Sequence, residues 1–195
     1  MKSSFSVHLA GFIAEDGGNA LLIDCDPLQA SSTWLRKACP KVKTLTQDDP
    51  DRLFDLVPSL VKKYDHIVID SPGSASQMTR TILCLTDWAV VPVGPSPSDM
   101  RAADETVFLA SQASGLRGDG KPKVAWLPCL YANGSRHATQ LVDDISLPGR
   151  VVLPGLARRA AIPNAERQDE LVWHGKDSLA AAEMQLTIQT LLELK

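Results

Sequence analysis

Short apolar runs that end on an acid, each following a stretch with helical spacing, constrain this chain more than any other feature. Ser4 to Glu15 carries apolar residues at helical intervals, Gly17-Gly18 breaks it, and Ala20-Leu21-Leu22-Ile23 then runs into Asp24. The unit recurs: Pro50 to Lys63 sets Leu53, Phe54, Leu56, Val57, Leu60 and Val61 on one stripe, and His66-Ile67-Val68-Ile69 runs into Asp70. Trp88 to Val93, Lys123 to Leu130 and Arg150 to Leu153 read as further strands, with helices over Asp99–Ser114, Ser135–Ile145 and Ser178–Leu194. Strands too short and too uniformly apolar to show a wet face, separated by helices, predict an α/β fold with a mostly parallel, doubly wound sheet flanked by helices. The last helix should dock through Leu179, Met184, Leu186, Ile188, Leu191 and Leu192.

With 195 residues, 44% of them hydrophobic, and no repeat or low-complexity tract, a single domain over 1–195 is expected. No run approaches the roughly 20 apolar residues of a bilayer span, and the start lacks a secretory pattern, so a cytoplasmic protein with no membrane partner is expected. Cys25, Cys39, Cys84 and Cys129 form no C-x-x-C pair and read as buried small hydrophobes rather than a zinc site or disulfide framework. A formal charge of -3 and a pI near 5.8 exclude a wholly basic surface, though not a local basic patch.

In parallel sheets, ligands bind beyond the carboxyl ends of the strands, where Asp24, Asp26 and Asp70 fall. If the extended backbone continues past Asp24, alternation sends Asp24 and Asp26 to one side. Carboxylates at such an edge can reach a metal ion or an attacking water. An aspartate after a strand serves equally as a cap for the next turn or helix.

These segments resemble the ParA/MinD family of partition ATPases, which are P-loop NTPase-like. Leu21-Leu22-Ile23-Asp24-Cys25-Asp26-Pro27 is similar to the family's D-x-D-P strand end, and Tyr64 to Pro72 to its Walker B segment. Val91-Pro92-Val93-Gly94-Pro95-Ser96-Pro97-Ser98-Asp99 is similar to the I-P-V-x-P-S-P-x-D segment of the ParA branch, in family order and spacing. The resemblance implies ATP and Mg2+ as cofactors, with Ser3, Asp24 and Asp70 around the metal and Asp26 and Lys2 as catalytic residues. It places Lys2, Ser3 and Ser4 on nucleotide, and Pro95, Ser96 and Pro97 on the face where two subunits of a homodimer sandwich it.

The same resemblance implies plasmid or chromosome partition, or cargo positioning, by a nucleoid-associated ATPase that binds DNA non-specifically and works with a ParB-like or other cargo adaptor. Arg158 and Arg159, with Arg136, Arg167 and Lys176, are the candidate DNA contacts; a solvated surface interleaved with Glu166, Asp169 and Glu170 is the alternative.

The family's phosphate loop reads K-G-G-x-G-K-[ST]-[ST] after a buried strand, and Lys2-Ser3-Ser4 aligns with its last three positions only. A lysine and two serines are equally a frayed, solvated terminus. Glycine backbone amides are what cradle phosphates. With the first strand and that loop missing, weak or no ATP binding is expected, and two neighbouring strands should expose backbone groups. A start lying upstream is the favoured explanation, beside a degenerate, non-catalytic adaptor and a gap filled by a neighbouring chain. Where many relatives carry an asparagine-arginine pair near adenine, this chain has Cys129-Leu130-Tyr131.

Overall fold

A computed structural model describes residues 1–73, 76–132 and 134–194. Strand β1 (Ala20–Asp24) is buried at every position and lies between β2 (Lys43–Thr46) and β3 (His66–Asp70), parallel to both. Parallel neighbours need crossovers, and these are α2 (Ala30–Ala38) and α3 (Pro50–Leu60), with α1 (Lys2–Glu15) leading into β1. Beyond β3, α4 (Gln77–Leu85) leads to β4 (Trp88–Val93), which does not pair with β3. Instead β4 opens a second parallel sheet with β5 (Lys123–Tyr131), on which β6 (Val151–Val152) and β7 (Leu156–Ala157) also pair. The connections there are α5 (Pro97–Arg117) and α6 (Arg136–Ile145); α7 (Ala161–Arg167), a 3-10 turn at Val172–His174 and α8 (Ser178–Leu192) close the described chain.

The uniform burial of β1 follows from its two covered faces. Leu22 points into a cluster with Phe5, Val7 and Ala10 of α1, whereas Leu21 and Ile23 pack on Leu53 and Val57 of α3 and Ile82 of α4. Each such side chain contributes about 1.5–3 kcal/mol on burial, so one strand anchors both helical layers. The first cluster also holds Leu127 of β5 and Met184 and Ile188 of α8, so α1 and α8 bridge the two sheets.

Turn chemistry fixes the helix starts. Asp49 accepts hydrogen bonds from the Asp51 and Arg52 amides ahead of α3, with Pro50 as its first residue. Ser96 and Asp99 form a reciprocal capping box on α5, Pro97 takes the first helical position, and Gly118 ends the helix at φ 71°.

Several sequence expectations need correction. The helix from Pro50 ends at Leu60, short of Lys63, and exposes Phe54 and Val61. Helix α8 docks through Ala180, Met184, Thr187, Ile188 and Leu191, whereas Leu179, Leu186 and Leu192 are exposed. The buried set recurs at three to four residues, a narrower stripe than the leucine positions alone suggest.

Candidate nucleotide site at the carboxyl edge

The first turn of α1 and the ends of β1 and β3 converge. Parallel register sets Asp24 opposite Asp70, both 1% exposed. Asp24 is fully engaged by its own loop: one oxygen accepts from the Asp26 amide at 3.0 Å, the other from the Ser32 amide in α2 at 2.9 Å. The capping role is therefore realised at Asp24. Because β1 ends at Asp24, Asp26 lies beyond the alternating strand; it is half-buried and its Oδ1 accepts from the Leu28 amide at 2.9 Å. The shared face of Asp24 and Asp26 expected from strand alternation is thus replaced by a tight turn.

Asp70 differs. Its Oδ1 accepts from the Ser6 hydroxyl at 3.2 Å, while its Oδ2 is buried with no hydrogen-bond partner among the described residues. The Ser31 hydroxyl nearby is likewise buried and unpartnered. Burial raises the Asp70 pKa and Asp24 adds to the rise, offset in part by the nearby Ser3, Ser31 and Ser6 hydroxyls. An orphaned oxygen on a buried acid is costly unless a cation or donor visits it.

Lys2 reaches over this group. Its ammonium donates to the Pro72 carbonyl just past β3, tying the first turn of α1 to the β3–α4 loop. Burial lowers the Lys2 pKa, opposed by the charges of Asp70 and Asp26. Met1 caps α1 without a side-chain hydrogen bond, so the amides of Lys2, Ser3 and Ser4 have no intrahelical partner and leave a positive helix end beside the acids.

The donor set suits Mg2+ in part. Among the described residues no group of three or more His, Cys, Asp or Glu side chains could hold a metal. Mg2+ usually binds through one or two carboxylates, waters and substrate phosphates, which Asp70, Ser3 and the α1 amides could complement. The amino end of α1 supplies the helix end of a phosphate site. Cys25, between the acids, is no candidate nucleophile: burial and the charges of Asp24, Asp70 and Asp48 push its thiol up to about 12.

The other predicted residues lie elsewhere along the same edge. Pro95 and Ser96 line a 310 Å3 cleft with Tyr131 and Arg158, and Pro97 is exposed beside them. Arg158 is exposed, but Arg159 is held by Glu183 in a two-pronged ion pair at 2.7 and 3.1 Å. Sequence reading missed Ser6 and Ser31. Ser6 stands four residues after Lys2 on the same helical face, which is the signal that could have found it.

A family model described as ATPase MipZ matches residues 33–104. The maintenance of carboxysome distribution protein A of Halothiobacillus neapolitanus is 26% identical over 171 residues, covering 84% of this chain and 77% of that protein. MinD from Aquifex aeolicus superposes with a TM-score of 0.78 at 15% identity, over 100% of this chain and 92% of that one. An aspartate-to-alanine variant of Cyanothece McdA in complex with ATP gives 0.76 at 14% identity, over 100% and 92%. With the acidic strand ends, the P-S-P-x-D segment and the parallel sheets in one order, the chain has the fold of MinD and McdA and is similar in its motifs to ParA/MinD-type partition and positioning ATPases.

Proposed function

We propose that this chain is a positioning module that uses Mg2+ and ATP at the Asp24–Asp70 edge to form a homodimer. In that form it holds DNA non-specifically, so that a partner adaptor can move or space a cargo. The observation that carries the reading is the buried, unpartnered Oδ2 of Asp70 facing the uncapped end of α1. Bound nucleotide would bring the charge of its phosphates and metal to that point. Asp70 and Ser3 would hold the ion, the α1 amides and Lys2 would neutralise phosphate oxygens, and Asp26 would orient water. Support comes from the carboxysome-distribution relative and from the ATP held by the Cyanothece neighbour.

ATP should bind this chain only with Mg2+, and Asp70→Asn should remove the Mg2+ dependence. Calorimetric titration of ATP with and without the metal measures both. Tight, metal-independent binding would contradict the site.

DNA contact is assigned to Arg158, because Glu183 already occupies Arg159. Arg158→Ala should weaken binding to any duplex and make its logarithmic salt dependence shallower by about one unit for each phosphate no longer neutralised. Fluorescence anisotropy at several salt concentrations reads this, and an unchanged slope excludes Arg158 as a phosphate ligand.

A further inference from the structure

The outer edge of the first sheet is open. β2 pairs with β1 on one side and has no strand partner on the other among the described residues. The Gln47 amide donates to the Asp24 carbonyl at 3.0 Å, so by alternation Lys43 and Leu45 turn their peptide groups to β1, while Thr44 and Thr46 turn theirs outward. The side chains alternate as well. Leu45 stands beside Ile23, which packs on Leu53 and Val57, so Leu45 lies on the α3 face of the sheet; Thr44, bonded to Arg36 of α2, lies on the other.

On that α3 face an apolar strip is uncovered. Leu56 packs in one cluster with Met78 and Ile82 of α4. Phe54 lies about 200° round the helix from it, on the flank toward β2, and Pro58 and Val61 follow on the same stripe. Phe54 is 53% and Val61 60% exposed, and Leu45 is exposed too, whereas Leu53, Val57 and Leu60 are buried. Both elements carry opposite charges at their two ends. β2 is entered through Lys41 and Lys43 and left through Asp48; α3 has Asp51 and Asp55 in its first half and is followed by Lys62. Lys41, Lys43, Asp48, Asp55 and Lys62 are exposed and make no ion pair among the described residues.

We propose that this edge is an interface for a second copy of the chain, the two β2 strands pairing about a twofold axis at Leu45 and continuing the sheet through it. A twofold axis across a strand edge makes the pairing antiparallel, and it sets the basic end of each β2 against the acidic end of the other. Lys43 guards the edge against most strands, but a copy brings Asp48 to it. With Leu45 opposite Leu45, Thr44 of each copy exchanges both backbone hydrogen bonds with Thr46 of the other. α3 packs on β1, so the two α3 helices run antiparallel, three strand spacings or about 14 Å apart. Closely packed helices stand about 8–10 Å apart, and Phe54 and Val61 from both copies fill the difference over the two Leu45 side chains. Asp51 and Asp55 of each helix face the Lys62 end of the other. The contact uses none of Lys2, Asp26 and Asp70, so it forms without nucleotide.

The test is analytical ultracentrifugation and amide hydrogen exchange of the intact chain without ATP or Mg2+. A reversible dimer should form with rising concentration and slow exchange at Thr44 and Thr46 by about tenfold or more, with a smaller change at Leu45, already bonded to β1. Phe54→Glu combined with Val61→Glu, both at exposed positions, should leave the chain monomeric. Lys43→Glu and Asp48→Lys should each weaken the dimer by about fivefold or more, and an equimolar mixture of the two should recover it as a mixed dimer, which a loss of folding could not do. A chain still monomeric at about 1 mM overturns the proposal. So does a dimer that survives the Phe54→Glu and Val61→Glu pair, or one that leaves Thr44 and Thr46 exchanging freely, since either places the contact elsewhere. A dimer that appears only once ATP and Mg2+ are added overturns it as well and belongs to the nucleotide site, so the two readings fail separately.

Discussion

Between pH 6.5 and about 4 the fold should lose about 3 kcal/mol of stability through one residue, His8, whose pKa in the native chain is lowered from 6.5 to about 4. His8 is fully buried. Its Nδ1–H donates to the Ser4 carbonyl at 2.6 Å, and its Nε2 accepts from the Val172 amide at 3.0 Å, which fixes the neutral tautomer. Trp34 and Trp173 stand edge-on to the ring at 5.2 and 5.4 Å and complete its burial. Burial is the main cause of the lowered value; the Ser4 hydrogen bond opposes it and His174 adds to it.

The sign follows from which state binds the proton first. An unfolded imidazole takes it up near pH 6.5, whereas the native one resists until about pH 4, so acid favours unfolding across that window and adds nothing below it. Urea unfolding at half-unit pH steps should show a slope of about 1.4 kcal/mol per pH unit in the window. In His8→Gln, less stable at pH 7, that component should vanish. Subtracting the two curves removes the contribution of Asp70, whose raised pKa acts in the opposite direction. Equal slopes in the two proteins would mean that His8 is solvated in solution. The consequence reaches the site, because His8 clamps α1 to the Val172–His174 turn and α1 carries Lys2, Ser3 and Ser6.

Much of this arrangement was legible before any coordinates. β1, β3, β4 and β5 announce themselves because strands covered on both faces must be apolar throughout, and α5 was legible as a helix over Asp99–Ser114, short of the Ser96–Pro97 start and the Gly118 end that its capping residues fix. β2 left no such signal: Lys43-Thr44-Leu45-Thr46 is a short edge strand, largely exposed, with nothing to bury. α2 was equally silent. It starts after Gln29 at φ 52° with no side-chain cap, and its buried Ser31 and Ser32 face Asp24 and Asp70 rather than an oily core. A buried face that is half serine, with Ser31 and Ser32 beside Trp34 and Leu35, blurs the hydrophobic periodicity, and here that polarity belongs to the site.

Asp24, Asp26 and Asp70 were identifiable as strand-end acids, but their different states were not. Sequence treats the three alike, and only tertiary geometry commits the oxygens of Asp24 to two amides while leaving one of Asp70 bare. The division of the sheet between β3 and β4 was foreshadowed by the family pattern, in which a buried strand precedes the phosphate loop. The orphaned Thr86 hydroxyl needed coordinates.

The second large effect separates α8's true docking face from its apparent one. Met184→Ala should cost about 2–5 kcal/mol, while Leu186→Ala, two residues away, should change stability by less than about 0.5 kcal/mol. Met184 is 0% exposed and sits in the cluster that joins α1, β1 and β5, so truncating it leaves a void that the two sheets cannot both close upon. Leu186 is 55% exposed and gives up little burial. Thermal or urea denaturation of the two variants decides it. A large loss in Leu186→Ala would place that leucine under cover in solution, and a small loss in Met184→Ala would mean that α8 does not bridge the sheets. The contrast matters because the bridge across β3 and β4 is made by α1 and α8 packing, with no strand pairing between them. Whatever loosens α8 should therefore also let the sheets part.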